Sequence, residues 1–374
     1  MIRPIAILGA VGSMAASSPA VAQSLPEWRF VEELRIGSEN DDLTGFSSIR
    51  GLLVDRGGNI WVLERSTQDI RFFDPEGKPL RTIGRKGKGP GEFTNPTGMA
   101  LAPDGLVWVY DPANSRFSLF DQTGRFVRQQ LVQRGGYEFR WSGGFDAAGR
   151  IWERVFLPQE RDNPASFYLR SPVDFSRGDT LRIPDCRRPG TKPGEEYFEL
   201  PGPSFMEVPY TARPLVALDF PRGVVWCAPS SAEYRVVRMS IERPDTLARV
   251  TGRGMRIPVS PEEHRKAVAD VERFVKQVGR GGSADLSRIP KLKPLMERIA
   301  VDEAGRLWLQ RIVPDGTVAF DGYTAQGKPF ATFRVRHPVS RWLTPVVRGN
   351  VFWFVAQEEG EIPYVVRGRL VPGR

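Results

Sequence analysis

The sequence has few of the residues that most often form metal centres and nucleophilic sites. Its 374 residues include two histidines, His264 and His337, and two cysteines. Enzymes that hold zinc through several histidines are therefore excluded. The chain also lacks a Gly-x-Ser-x-Gly elbow, a P-loop and a Cys-x-x-Cys pair, which mark serine hydrolases, nucleotide-binding proteins and thiol oxidoreductases. We expect no metal and no cofactor.

Long hydrophobic runs are scarce as well. The longest, residues 5–15, follows Arg3 and precedes the small-residue sequence Ala20-Val21-Ala22. This order is typical of a secretory signal peptide, and no other run approaches the ~18 apolar residues that cross a membrane. We therefore expect residues 1–22 to be removed and residues 23–374 to be periplasmic or secreted, without a transmembrane segment.

Cysteine usage fits an exported chain. The two cysteines, Cys186 and Cys227, form an even pair, and such pairs are commonly oxidised outside the cytoplasm. The expectation is one disulfide, with two unpaired thiols as the alternative.

Glycine, proline and positive charge are abundant. The chain has 38 glycines and 32 prolines, which suits many tight turns, and its formal net charge is +9 at pH 7. A basic surface favours acidic partners, and export argues against nucleic acid as the partner. We expect a protein or an anionic ligand of the cell envelope; a basic surface without a specific partner is the alternative. The sequence leaves the oligomeric state open.

A tryptophan after a tight turn recurs along the chain and reveals a repeat. The six positions are Trp61, Trp108, Trp152, Trp226, Trp308 and Trp353. Their spacings are 47, 44, 74, 82 and 45 residues, so three match a propeller repeat and two contain insertions. The sixth unit lacks a fourth strand, which residues 30–36 can supply. The prediction is an all-β, six-bladed β-propeller of four-stranded antiparallel blades, closed by the mature N-terminal strand.

The most regular unit, residues 84–131, resembles the NHL repeat. Residues 87–93 (GKGPGEF) and 111–116 (DPANSR) carry the match, and residues 71–74 echo it. The resemblance implies a single six-bladed propeller of the NHL and TolB-like kind. It implies no one activity, because such propellers include binding modules, lyases, lactonases and other hydrolases.

Acidic residues recur in this repeat for structural reasons. Asp55, Asp146 and Asp302 each stand three residues before a glycine, as turn chemistry requires. Glu64 and Asp111 close the second strands of the first two units. We expect Asp111 to cap its hairpin, as in the NHL pattern, and Glu64 to be the freer candidate for a ligand contact.

Two insertions, residues 184–211 and 252–295, interrupt the repeat. The second contains a helix signature, in which Ser260 is the N-cap, Pro261 is the first helical residue and Glu263 completes a capping box. Both insertions join an outer strand to the next inner strand, so we expect them to cover one mouth of the central channel. They either fill a wide funnel or wall a ligand site.

Arginines recur where the chain enters the innermost strands. They are Arg50, Arg140, Arg213, Arg298 and Arg341, called here the arginine set. Trp141, Trp342 and Tyr210 lie among them. Guanidinium groups around one opening would attract carboxylates or phosphates. Because their offsets from the turns differ, not all can point inward, and chance clustering in an arginine-rich chain is the alternative.

Two functions follow as hypotheses. The first is a non-enzymatic binding or scaffold module of the cell envelope that holds an anionic ligand at the channel mouth. The second is a lyase or lactonase-type hydrolase acting on an anionic substrate at the same face. The scarcity of histidine and the missing metal constellation favour the first, and the sequence identifies no catalytic residue.

Overall fold

Six four-stranded antiparallel sheets form the protein, as seen in a computed structural model. The structure describes residues 25–38, 43–132, 140–155, 167–187, 194–201, 205–243, 245–278, 281–357 and 361–373. The expected signal peptide lies outside this range. Each sheet is one propeller blade, and the six-bladed fold predicted from the tryptophan repeat is confirmed.

The strands follow the predicted order from the inner to the outer edge of each blade. Blade one contains β2 (Ile49–Val54), β3 (Ile60–Glu64), β4 (Asp69–Phe73) and β5 (Pro79–Ile83). Blade two contains β6 (Gly98–Leu101), β7 (Val107–Asp111), β8 (Arg116–Phe120) and β9 (Phe126–Leu131). Blade three contains β10 (Gly144–Phe145), β11 (Ile151–Val155), β12 (Phe167–Ser171) and β13 (Asp179–Arg182).

The remaining blades are equally regular. Blade four contains β16 (Leu215–Asp219), β17 (Val224–Ala228), β18 (Arg235–Ser240) and β19 (Thr246–Thr251). Blade five contains β20 (Arg298–Val301), β21 (Leu307–Ile312), β22 (Val318–Tyr323) and β23 (Pro329–Val335). Blade six contains β24 (Val346–Arg348), β25 (Val351–Ala356) and β26 (Tyr364–Pro372), with β1 (Trp28–Ile36) as its outer strand.

Strand β1 pairs with β26 in antiparallel register, from Trp28 opposite Pro372 to Ile36 opposite Val365. The backbone N–H of Thr332 also donates to the carbonyl of Pro26 at 2.7 Å, which attaches the start of β1 to blade five. The first described strand thus covers the edge that β26 would otherwise expose to solvent.

The hydrophobic core lies between neighbouring blades rather than at the centre of the ring. The six repeat tryptophans are all buried in it. In blades one, three and five, the turn aspartate accepts a hydrogen bond from the indole Nε1 of the tryptophan six residues later. The pairs are Asp55–Trp61 at 3.0 Å, Asp146–Trp152 at 3.2 Å and Asp302–Trp308 at 3.1 Å. The predicted structural role of these acids therefore includes satisfying a buried indole.

The two insertions fold against each other. Residues of the first insertion form a hairpin of β14 (Tyr197–Glu199) and β15 (Phe205–Glu207), and the second contains α1 (Pro261–Val278). Buried Phe198 and Val208 pack with Ala267 and Val271 of the helix. The capping box is present, since Ser260 N donates to Glu263 Oε2 at 2.9 Å and Glu263 N donates to Ser260 Oγ at 3.2 Å.

A disulfide fixes the start of the first insertion. Cys186 is bonded to Cys227 in β17 of blade four, so the predicted pairing is confirmed. Among the residues that the structure describes, no helix is both long and apolar enough to cross a membrane.

Candidate functional site: an arginine-lined opening under two insertions

The arginine set lies at the propeller face where outer strands connect to the next inner strands, called here the lid face. Arg50 and Arg298 are at the starts of the inner strands β2 and β20. Arg140, Arg213 and Arg341 lie in the segments that lead into the inner strands of blades three, four and six. Both insertions emerge at this face. The set therefore contains contributions from five of the six blades.

Arg140 and Arg50 lie near enough for their charges to interact. Burial and then the neighbouring charge of Arg50 lower the pKa of Arg140 to about 10. No carboxylate among the described residues forms an ion pair with it. Arg140 thus keeps a half-buried positive charge beside another positive charge, which disfavours the charged form.

Arg298 continues the same cluster. Burial, then the charges of Arg140 and Arg213, lower the pKa of Arg298 to about 10, while Glu297 acts in the opposite direction. Its guanidinium donates to Thr344 Oγ1 at 3.1 Å and to the carbonyl of Arg341. Its buried Nε has no hydrogen-bond partner within the described chain. The arrangement holds Arg298 in place without neutralising it.

Glu297 is the acidic residue of the opening that sequence reasoning missed. Burial raises the pKa of its carboxyl group, and the charges of Arg298, Arg341 and Arg213 lower it. Gln310 donates from Nε2 to Glu297 Oε2 at 3.1 Å. The only available sequence signal was its position immediately before Arg298. One carboxylate therefore faces three of the arginines.

Arg213 and Arg341 form the outer part of the cluster. Arg213 is ion-paired with Glu207 of the first insertion, with Nε and Oε1 3.2 Å apart. Arg341 is exposed, and its guanidinium carbon lies 4.5 Å from the centre of the Trp342 ring. These two arginines connect the opening to the inserted segments.

Two other expected site residues have structural environments instead. Glu64 is 1% exposed, and its carboxylate accepts hydrogen bonds from the backbone N–H groups of Ser47, Ser48 and Ser66 at 2.9 to 3.1 Å. Asp111 accepts equivalent bonds from Thr94 and Asn95. The expectation that Glu64 is the freer of the two therefore does not match its surroundings, because both carboxylates clamp the preceding loop.

Trp141 is packed rather than placed at the opening. It is 6% exposed and lies against Phe117, with ring centres 5.1 Å apart, in the core between blades two and three. Its sequence neighbour Arg140 is in the cluster, so adjacency in sequence did not predict a shared environment. Trp342, in contrast, is 58% exposed.

A cleft of about 630 Å³ opens beside the arginine set. One wall is the first insertion at residues 206–210, a second is α1 at Lys266 and Asp270, and a third is the loop 338–342. Glu297 and Arg341 belong to both the cleft and the cluster. The insertions therefore wall a space that adjoins the charged opening.

A second cleft, of about 910 Å³, lies on the other side of the first insertion. Arg213 and Arg288 contribute to its lining, but so do five acidic residues. They are Glu195, Glu196, Glu199, Glu233 and Asp285. The excess of carboxylates makes this cleft less suited to an anion than the first.

The donor set at the opening does not resemble a metal centre. No group of three or more His, Cys, Asp or Glu side chains within the described ranges is arranged to hold a metal ion. His337, the nearer histidine to blade six, instead contacts Glu32 of β1, with Nε2 and Oε2 2.8 Å apart. The chemistry present at the opening is that of guanidinium groups with the carboxyl groups of Glu297 and Glu207.

Comparison with known proteins supports the fold over the whole chain and the NHL resemblance over one part. Residues 41–135 match a family model described as a 6-bladed beta-propeller. The RING finger protein nhl-1 of Caenorhabditis elegans is 43% identical over 61 residues, which is 16% of this chain and 6% of that protein. The match thus covers only a small part of that relative.

One solved structure extends the likeness to nearly the whole chain. A member of the duf4221 family from Bacteroides vulgatus has a TM-score of 0.55 at 11% identity, covering 94% of this chain and all of that one. Virginiamycin B lyase from Staphylococcus aureus has a TM-score of 0.37 at 14% identity, covering 93% of this chain and 89% of that one. At 11% identity the likeness to the duf4221 member shows the fold alone.

Proposed function

We propose that this six-bladed β-propeller, of the kind built from NHL-like repeats, binds an anionic ligand at the arginine-lined opening of its lid face. The protein acts as a binding module of the cell envelope, after export to the periplasm or the exterior. The disulfide and the signal-peptide pattern support that compartment. Carboxylate and phosphate are the groups that forked guanidinium donors recognise best.

The observation that carries the proposal is the charge of Arg140, which pairs with no carboxylate among the described residues and interacts with the charges of Arg50 and Arg298. A folded protein rarely keeps charged groups half-buried beside like charges without compensation, because doing so reduces stability. Since the pKa of Arg140 is lowered to about 10 in the folded state, its charged form opposes folding at neutral pH, and this effect disappears only as the pH rises above that value. A bound anion would supply the missing countercharge.

The test is calorimetric titration of the protein with citrate and with inorganic phosphate at fixed ionic strength. Arg140→Gln should weaken citrate binding about tenfold, the loss of roughly 1.4 kcal/mol. It should leave the melting temperature without ligand equal or higher, since it removes a disfavoured charge.

The control is Arg29→Gln, which removes the same charge from an exposed position on the outer strand β1. This variant should bind citrate within about twofold of the unmodified protein, because surface charges at that distance are screened. Equal citrate affinities for Arg140→Gln and the unmodified protein would contradict the proposal.

A second candidate function is catalysis at the same opening, and Glu297 is the observation that favours it. A carboxyl group whose pKa is raised by burial, next to arginines that bind an anionic substrate, has the properties of a general base. It would abstract a proton beside a substrate carboxylate in a lyase, or activate water in a lactonase-type hydrolase.

Glu297→Gln separates the two candidates. If the protein is an enzyme, this variant should lose turnover by about 10²-fold or more while still binding the anion. Turnover of the unmodified protein should also fall as the pH drops through the raised pKa of Glu297, because the base must be deprotonated. Absence of turnover across a panel of uronate-containing saccharides and lactones would leave the binding module as the function.

A further inference from the structure

The cleft beside the arginine set has a mixed chemical character that a simple anion does not require. Its lining includes the exposed indole of Trp342, the half-buried phenol of Tyr210, the hydroxyl of Ser340 and the amide of Gln357. Hydroxyl and amide groups both donate and accept hydrogen bonds. The lining therefore suits a ligand rich in hydroxyl groups.

Trp342 is held at the lip of the cleft. The loop that carries it is fixed because Trp342 N donates to Ser340 Oγ at 3.2 Å and Ser340 N donates to the carbonyl of Val355 at 2.8 Å. Arg341 stacks near the indole. The indole nevertheless stays 58% exposed, so it offers a flat apolar surface to a ligand beside this guanidinium group.

The charges in the cleft restrict how much negative charge a ligand can carry, and where. Arg341 of the arginine set lines the cleft beside Glu297, and Arg298 adjoins it by donating to the carbonyl of Arg341. Glu207 and Asp270 line the cleft as well. Glu207 is paired with Arg213, and Asp270 is paired with Arg273 at 2.8 Å. A ligand with anionic groups along its whole length would meet these carboxylates. A ligand with one anionic end and an uncharged body would not.

The size of the space fits such a body. At about 630 Å³ the cleft falls in the range of small-molecule sites, roughly 300–1,000 Å³. Resting on the anion site proposed above, we propose that the cleft binds an acidic saccharide. Its carboxylate reaches Arg298 and Arg341, and a neutral sugar ring packs its C–H face against Trp342.

The experiment uses three probes on the full-length protein. They are an aldobiouronic acid (one uronic acid linked to one neutral sugar), the matched neutral disaccharide, and citrate. Calorimetry of the unmodified protein should show the aldobiouronic acid binding more tightly than the neutral disaccharide by about tenfold or more, because only the acid engages the arginines.

Two variants then separate the sugar contact from the anion contact. Trp342→Ala should weaken the aldobiouronic acid about tenfold, the scale of one aromatic contact, while citrate affinity changes less than about twofold. The control Phe205→Ala removes an aromatic ring of similar exposure, 59%, from the same face but outside the cleft. It should alter neither ligand.

The outcomes distinguish this inference from the function on which it rests. Citrate binding with no aldobiouronic acid binding, or with the same saccharide affinity in Trp342→Ala, would overturn the saccharide proposal and leave the anion site intact. Binding of neither probe by the unmodified protein would overturn both. Equal binding of the neutral disaccharide would show that the arginines do not select the ligand, and would also overturn the inference.

Discussion

At the scale of single residues, the blades differ in how they satisfy the tryptophan at their centre. The indole N–H groups of blades one, three and five bond to the turn aspartates. Those of Trp108, Trp226 and Trp353 have no partner within the described chain. Blade two has Ala102 where blade one has Asp55. Three blades therefore contain a buried carboxylate–indole hydrogen bond. In the other three, the indole N–H of the tryptophan has no such bond within the described residues.

Removing one of these aspartates should destabilise the protein strongly. Asp55 accepts hydrogen bonds from Asn59 N at 3.0 Å, Asn59 Nδ2 at 2.9 Å and Trp61 Nε1 at 3.0 Å. We expect Asp55→Ala to lower the free energy of unfolding by about 2–4 kcal/mol, because it leaves the buried indole N–H unpaired. Chemical denaturation monitored by tryptophan fluorescence measures the change.

A neighbouring turn provides the control for that experiment. Asp104 accepts one bond, from Leu106 N at 3.0 Å, and is exposed. Asp104→Ala should therefore cost less than about 1 kcal/mol, as expected for a surface turn residue. Equal losses for the two variants would show that the indole bond contributes nothing.

The residues of the candidate site were only partly predictable, and the reason is geometric. Sequence can place Arg140 and Arg298 near the channel mouth, because strand direction fixes which ends share a face. It cannot show that they meet, since the two lie at different offsets from their turns. The sequence does not show that Glu64 is engaged, because two of its backbone donors, Ser47 and Ser48, come from a loop without a sequence pattern and the third, Ser66, from the turn after β3.

At the scale of elements, the sequence predicted the start of α1, which depends on local interactions, but not the β14–β15 hairpin, which depends on distant ones. The capping box of Ser260 and Glu263 gave the start of α1 correctly, because both partners lie within one helical turn. The β14–β15 hairpin was not expected in the proline- and glycine-rich first insertion. Its stability depends on contacts with α1, which begins more than fifty residues later. Tertiary packing, rather than strand propensity, creates this hairpin.

Two further bonds hold the inserted segments that wall the first cleft. Lys293 is ion-paired with Glu263, with Nζ and Oε1 2.5 Å apart, so the end of the second insertion is attached to the start of its helix. The Cys186–Cys227 bond attaches the first insertion to blade four. Both insertions are thus anchored at their bases, while the tip of the hairpin exposes Phe205.

At the scale of the whole molecule, bonds between blades close the ring on the face opposite the insertions. Arginines in the inner turns donate to carbonyl groups of the next blade. Arg56 donates to Pro103 at 2.7 Å, Arg222 to Glu303 at 2.7 Å, Arg306 to Gly349, and Arg348 to Val54 at 2.5 Å. The last of these joins blade six to blade one. Arginine therefore has two uses in this protein, joining blades on one face and lining the opening on the other.

Ring closure at the outer edge depends on a close fit between β1 and β26. The Phe30 ring occupies the space beside Gly368, where an added Cβ would lie 2.1 Å from the ring. Phe30 also packs against Phe354, with ring centres 5.7 Å apart, and against Phe333 at 6.1 Å. The closing strand is therefore attached by side-chain packing as well as by backbone pairing.

Phe30→Ala should weaken this closure. We expect the free energy of unfolding to fall by about 2 kcal/mol, somewhat less than the loss for a fully buried phenylalanine, because the Phe30 ring is partly buried. The control is Val31→Ala, at the adjacent position whose side chain is 42% exposed. That variant should change stability by less than about 0.5 kcal/mol. Similar losses in both variants would mean that backbone pairing alone holds β1.

Because β1 and β26 lie near opposite ends of the chain, β1 of the nascent protein remains unpaired until β26 has been synthesised. Ribosomes add roughly 5–20 residues per second, so on the order of 20 to 70 s separate the appearance of β1 from that of its partner. Throughout this interval β1 has amide groups ready to pair and no native strand to receive them. The five blades that follow can each form from sequence-local hairpins, but the ring stays open until the last blade is delivered. Inappropriate strand addition is therefore a hazard during synthesis rather than in the finished propeller.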